Sequence, residues 1–376
     1  MSGSPWQRVA WQKNMATLAK IPPEWILPEA VLEEAAAMRH ITGPFIRKLL
    51  NEEEVTITEA PTAQLIGYIR TRQYSAKEVA AAYCKEPHSP ISWLNNCLHE
   101  IFFQDEIEQA VNLDRQLKET GEFAGPMHGV PVSLKDQFHV KYAAETSMGR
   151  ICSHSGRILW NALYQAILRA ILLSNSRKFI VDAVKHSGHT VIEWEPPSHE
   201  EALALHDIIL DIDGGDDVWR QLSILHEPVI PQVSERFGNG PKDPVPTLEL
   251  LDIVLKHKAY VARYLEYWAS TVKHTGTGRD VDAVILPVAP HAVVIPGEYF
   301  ITASYTEFVN ILDFTSAVLP GTKADKNVDV AHGDFKPLTP NDEVNWRAYN
   351  ADKYDGAPVC VQWVGSSKRS ESWALQ

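Results

Sequence analysis

The stretch from Val281 to Pro290, "VDAVILPVAP", constrains the fold of this chain more than any other. An apolar run this continuous and this rich in β-branched residues reads as a strand buried on both faces, the kind that lies mid-sheet. Such a strand needs strands beside it and helices above and below it. The rest of the sequence offers both. "PEAVLEEAAAMR" (28–39) has early acids and a late arginine, which suits a helix dipole. Residues 61–85 read as two helices broken near Gln73 and Tyr74, with Ser75 and Glu78 forming a capping box for the second. Asp105 to Lys118, residues 200–210 and residues 248–274 are helical by spacing, and "KFIVDAVKHSGH" is a helix stopped at Gly188. "NNCLHEIFF", "VPVSLKD", "TVIEWEPP" and "APVCVQWVG" read as strands. Helices alternating with strands predict the α/β class, a central sheet covered by helices.

Bulk composition narrows the function. The chain has 376 residues, 45% hydrophobic and 22% charged, the balance of a globular protein with room for a sizeable core. Its net charge of −13 and the lack of any Lys/Arg run argue against nucleic acid as a partner. The most membrane-like run, Ile158–Leu173, is interrupted by Asn161, Gln165 and Arg169 and falls short of the roughly 20 clean apolar residues of a span. No secretory leader is evident at the start. Cys84, Cys97, Cys152 and Cys360 show no C-x-x-C spacing and read as reduced thiols of a cytoplasmic protein.

One segment carries chemistry. In "GPMHGVPVSLKDQFHVK" (125–141) a short apolar strand delivers Lys135 to its end. From the residues alone, Lys135 is either paired with Asp136 or another acid, or held in an apolar setting for use as a base. A lysine in water has a pKa of about 10.4 and is a poor base at neutral pH. Desolvation disfavours the ammonium form and makes the neutral amine accessible.

This segment resembles the lysine-bearing block of the amidase signature family, especially its fungal acetamidase-like members. "ATLAKIPPEWILP", "APTAQLIGYIRTRQYSAKEVAAAYCK", "GHTVIEWEPPSHEEAL", "DGGDDVWRQL", "VDAVILPVAPHAVVIPGEYF", "VNILDFTSAVLPGTKAD" and "YDGAPVCVQWVG" resemble further blocks of the family and follow in its order. The resemblance implies the amidase signature fold, a mixed twisted sheet covered by helices. It implies hydrolysis of small amides by a Ser–cis-Ser–Lys triad, with Lys135 as general base, and no cofactor. It also implies one domain in two parts, residues 1–150 and 177–376, joined by an atypical segment at 151–176.

The serine half of that triad is not found. The family holds both serines and its oxyanion-hole amides in a Gly/Ser-rich segment around "GGSSGG", where glycine lets the backbone approach the substrate oxygen. Here the only Gly–Gly pair is Gly214–Gly215, between aspartates, and the only Ser–Ser pair is Ser366–Ser367 near the last strand. The family pattern runs to about "TSMG" (146–149) and resumes near Arg177. The chain is therefore expected to be an incomplete, inactive amidase, truncated or mis-spliced. The competing expectations are a non-catalytic relic that binds a small amide or a protein partner, and a hydrolase using a substitute nucleophile such as Ser153 or Ser155 beside His154. Without neighbours, "VPVSL" and "VDAVILPVA" are expected to expose unpaired edges and apolar faces.

Three other patterns carry no site. "DIDGGDD" (211–217) misses the calcium-loop pattern at its fifth and sixth places and reads as a turn. The 15 histidines include no H-E-x-x-H and read as surface or singly hydrogen-bonded imidazoles. "HTGTGRD" (274–280) follows a long helix and reads as a loop. The sequence leaves oligomeric state open.

Overall fold

The structure, a computed structural model, describes residues 4–38, 41, 43–85, 98, 100–134, 181–294, 304–330, 335–337 and 340–365. The chain divides into two compact units. The first comprises Met1–Arg157 with Arg220–Pro228; the second comprises Ile158–Trp219 with Val229–Gln376.

The described part of the first unit is helical. Its helices are α1 (Pro5–Leu18), α2 (Glu29–Ala37), α3 (Pro44–Arg47), α4 (Glu52–Thr58), α5 (Thr62–Arg70), α6 (Ala76–Lys85) and α7 (Phe103–Thr120). The break between α5 and α6 falls where the sequence places it. The capping box before α6 forms as expected: Glu78 accepts from the Ser75 backbone N–H at 2.8 Å, and the Glu78 N–H donates to Ser75 Oγ at 3.2 Å. Ile57, Leu65, Ile69, Val79 and Ala82 make one small core between α4, α5 and α6. Ala76 and Ala80 meet Ala110 of α7 in another. The strand expected in "NNCLHEIFF" does not form in its described part: residues 100–102 are irregular and Phe103 opens α7. Phe103 instead packs with Cys84 and Ile101, and a core contact of this kind outweighs strand propensity.

The second unit holds the sheet. After a helical turn at 181–186 come α8 (His199–Leu210), α9 (Asp216–Leu225, whose last six residues belong to the first unit), α10 (Pro231–Phe237), α11 (Thr247–Ser270) and α12 (Val272–Thr275). Strand β1 (Val284–Pro287), α13 (Ser304–Leu312), β2 (Thr315–Lys323), α14 (Pro340–Ala348), α15 (Ala351–Tyr354) and β3 (Pro358–Gly365) complete it. The strand order is β1–β3–β2 and both pairings are antiparallel, with Val284 opposite Val364 and Thr315 opposite Gly365. Its larger buried cluster joins helices and sheet, and Ala324, Tyr354 and Val359 form a smaller one. Tyr260, Tyr264 and Trp268 of α11 pack on Phe308 and Leu312 of α13, on Phe314, and on Val284 and Val364 of the sheet.

Two expectations for this unit need correction. "VDAVILPVAP" forms β1, but among the described residues β1 has a single neighbour, β3, so it stands at an edge and not mid-sheet. Of its four residues only Val284 is fully buried. "TVIEWEPP" forms no strand among the described residues. Trp194 leaves that segment for the aromatic core, lying 5.1 Å from the Trp268 ring and 4.9 Å from that of Tyr267. The Glu195 N–H donates to Tyr267 Oη, not to a neighbouring strand. Among the described residues no helix is long and apolar enough to cross a membrane.

Candidate functional site

In the first unit, the local structure before Lys135 is built to deliver a rigid segment. The free N–H groups at the start of α6 are met by one carboxylate of α7. Asp114 accepts from the backbone of Ala76 at 2.8 Å and of Lys77 at 3.0 Å. A negative charge there also suits the positive end of the helix dipole. The turn Gly125–Gly129 then lies against that helix start. The Ala124 N–H donates to His128 Nδ1 at 3.0 Å, which leaves the imidazole proton on Nε2. His128 is buried and was not singled out by sequence; a histidine between turn residues and an apolar run was the available signal.

Gly129 has φ +75°, and a Cβ there would come within 2.8 Å of Ala76 Cβ. Only glycine lets the turn sit this close. Val130 follows and packs on the small core of α4 to α6. The chain is thus anchored up to Val130.

What comes next departs from expectation. Residues 130–134 form no strand, and Val132 and Leu134 are 64% and 58% exposed. The segment is not a buried strand. Pro131 removes one backbone donor, and an apolar strand that finds no sheet neighbour has no way to bury its faces. Lys135 itself lies outside the described residues, as do Ser153, His154, Ser155, Ser366, Ser367, Cys97, Cys152 and Asp136.

The second unit places other chemistry-bearing residues together. Arg236 reaches Asp211 at 3.0 Å and Asp207 at 3.5 Å. The "DIDGGDD" segment is a turn, as expected. Asp213 spends its carboxylate on its own backbone, accepting from Gly215 at 2.9 Å and Asp217 at 3.0 Å. Among the described residues no group of three or more His, Cys, Asp or Glu side chains is arranged to hold a metal ion.

The reading of the histidines as surface or singly hydrogen-bonded imidazoles fits His199 and needs amendment for His206. His199 stacks on Phe308 at 4.1 Å, and its Nε2 lies 3.0 Å from Tyr264 Oη. His206 is buried with its Nδ1 3.9 Å from a carboxylate oxygen of Glu307, which is itself fully buried. Burial pulls the His199 imidazole down to about 4; burial first, then the Arg236 charge, does the same for His206. Both are core groups, not surface ones. The i, i+3, i+7 spacing of His199, Ala202 and His206 on one helix face was the signal for it.

Comparison with known proteins gives this geometry a lineage. An acetamidase from Emericella nidulans is 24% identical in an alignment 529 residues long, covering 96% of this chain and 95% of the relative. An acetamidase from Aspergillus oryzae is 23% identical over 535 residues, covering 97% and 96%. Both alignments are longer than the 376 residues of this chain, so each relative carries residues inside the shared span that have no counterpart here. A solved structure of a fatty acid amide hydrolase superposes with a TM-score of 0.75 at 15% identity, over 98% of this chain and 93% of the other. The fold is therefore the one that the α/β reading and the family resemblance anticipated. The profile of the Amidase family matches residues 78–156 and 174–372, most of the chain on both sides of the unmatched stretch, and the chain belongs to that family.

Proposed function

We propose that this chain comes from a lineage of small-amide hydrolases, keeps the general base Lys135, and hydrolyses no amide on its own. The observation that carries the reading is the length of the alignments. The acetamidases hold, inside the shared span, residues that this chain does not, and the family profile is itself interrupted between residues 156 and 174. That is where the family resemblance puts the Gly/Ser-rich segment with both catalytic serines, and no such segment is present in the sequence. Residues 1–150 and 177–376 are on this reading two parts of one amidase-like domain, with 151–176 as their join. Cys84 and Cys360 are in no disulfide, which suits a reducing, cytoplasmic location.

The mechanism explains why one missing piece matters so much. In the complete family reaction the neutral lysine amine draws a proton, through the bridging serine, from the nucleophilic hydroxyl. The hydroxyl oxygen attacks the amide carbonyl, backbone N–H groups hold the oxyanion, and the proton passes to the departing amine. Water then cleaves the acyl ester. Lys135 supplies the first step only. Members of such a unit act together, so removing the nucleophile removes most of the rate and not a fraction of it.

The test is labelling of the purified chain with a serine-reactive fluorophosphonate, alongside an assay of ammonia release from acetamide. Neither labelling nor turnover is expected. Labelling that disappears in Lys135→Ala would overturn the reading and restore an active enzyme.

A further inference from the structure

In the second unit, the chain leaves α10 through Gly238 and turns at Asn239–Gly240 before it meets the "DIDGGDD" turn. This loop is fixed at both ends. Behind it, the Phe237 ring lies so close to Gly215 that a Cβ on that glycine would come within 2.7 Å of Phe237 Cδ1. Ahead of it, the Lys242 N–H donates to the Gly214 carbonyl at 2.9 Å and the Val245 N–H to that of Ile212 at 2.9 Å. Between these points Asn239 is exposed, and a Cβ built on Gly240 would meet nothing within 4 Å beyond its chain neighbours.

An asparagine followed by glycine can react with its own backbone. The glycine nitrogen attacks the side-chain amide carbon and ammonia leaves. Water then opens the cyclic imide, at one carbonyl to aspartate and at the other to isoaspartate. The attack needs an N–H not held elsewhere and a following residue without a Cβ to obstruct it. The chain has three turns in which Asn or Asp precedes Gly, and they differ in this respect. The Gly214 N–H donates to the Asp211 carbonyl at 2.9 Å, and the Gly356 N–H to that of Ala324 at 2.8 Å. The side chains before them are held as well, Asp213 by the N–H groups of Gly215 and Asp217, and Asp355 by that of Lys326. Among the described residues neither the Asn239 amide nor the Gly240 N–H has a hydrogen-bond partner.

We propose that Asn239 is a self-modification site, at which the Gly240 nitrogen displaces ammonia and water opens the imide to aspartate and isoaspartate. Either product adds a negative charge to the loop. The isoaspartyl form also adds a methylene to the backbone between two fixed points, and the Lys242–Gly214 hydrogen bond is the contact that the longer backbone displaces. The proposal does not depend on the reading of Lys135. Its ammonia is limited to one molecule per chain and is indifferent to acetamide, whereas amide turnover is neither.

The experiment incubates the full chain at mildly acidic and mildly alkaline pH and follows the tryptic peptide Phe237–Lys242 by mass. That peptide should gain one mass unit and split into two isomers, at a rate that rises with hydroxide concentration. Gly240→Ala puts its Cβ into open space, so the melting temperature should match the parent while most of the mass gain is lost. Asp355→Asn places the same dipeptide where the glycine N–H is bonded, and conversion there should be slower than at Asn239 by about tenfold or more. In the isoaspartyl product, amide exchange at Lys242 should speed up by about tenfold. An Asn239 that stays intact while a free peptide of the same sequence converts would overturn the proposal. So would equal rates at positions 239 and 355 in Asp355→Asn, or unchanged exchange at Lys242.

Discussion

The two units are held together in different ways. In the second, large rings fill the interior: Tyr260, Tyr264, Trp268, Phe308 and Phe314 form one cluster that reaches the sheet at Val284 and Val364. In the first, beside the aliphatic cluster of Ile57, Leu65, Ile69 and Val79, small side chains let backbones approach. α6 meets α7 through Ala76, Ala80 and Ala110, and the turn before Lys135 touches α6 through Gly129. The lesson concerns failure. A core of rings is damaged by taking atoms away, and a core of alanine and glycine by adding them.

The largest expected effect is subtraction in the second unit. Tyr264 is 1% exposed and touches Trp194, His199, Tyr260, Phe308 and Phe314. Tyr264→Ala should cost about 3–5 kcal/mol in urea unfolding of the full chain. A loss below about 1 kcal/mol would mean that this cluster is not the main support of its unit. Addition in the first unit comes next. Gly129→Ala meets both a positive φ and the Ala76 contact, and should cost about 2 kcal/mol. The double variant with Ala76→Gly should recover the steric part and not the backbone part. If Gly129→Ala is silent, the contrast between the units is wrong.

The smallest effect is a pH dependence. His199 and His206 are held near 4 in the folded chain, whereas the same groups titrate near 6.5 when unfolded. The unfolded state therefore binds more protons between these values. The contribution of the two imidazoles is fully present above pH 6.5 and is lost as pH falls towards 4, by on the order of 1–2 kcal/mol after allowing for solvent screening. His199→Phe keeps the stack on Phe308 without a titrating group and should flatten part of that slope. An unchanged slope would assign it to other groups.

Much of the fold was legible because local signals and packing agree. The Ser75–Glu78 box, the break before it, the helices at 29–37, 199–210 and 247–270, and the final strand at 358–365 all follow from spacing and caps. The failures are strands. "VPVSL", "TVIEWEPP" and "VDAVILPVAP" have compositions suited to a covered sheet, but a strand is defined by its neighbours, and no local pattern reports whether these exist. The candidate site was half legible for a related reason. Lys135 stands in a block whose turn chemistry is local and readable. The serines that the family resemblance pairs with it have no matching Gly/Ser-rich segment in the sequence, so on the proposed reading the rest of the site is not there to be read.

The order of the sheet has a consequence for how this chain is made. β3, the strand in the middle, is the last of the three to be synthesised, and neither β1 nor β2 pairs with the other. Gln362 of β3 also ties the assembly together, its Nε2 donating to the carbonyls of Pro287 and Tyr305. On the ribosome, then, β1 and β2 emerge as apolar segments that, among the described residues, have no ladder to join until residues 358–365 arrive. Chaperone contacts in the nascent chain should concentrate on those two segments and be released only once β3 has cleared the exit tunnel.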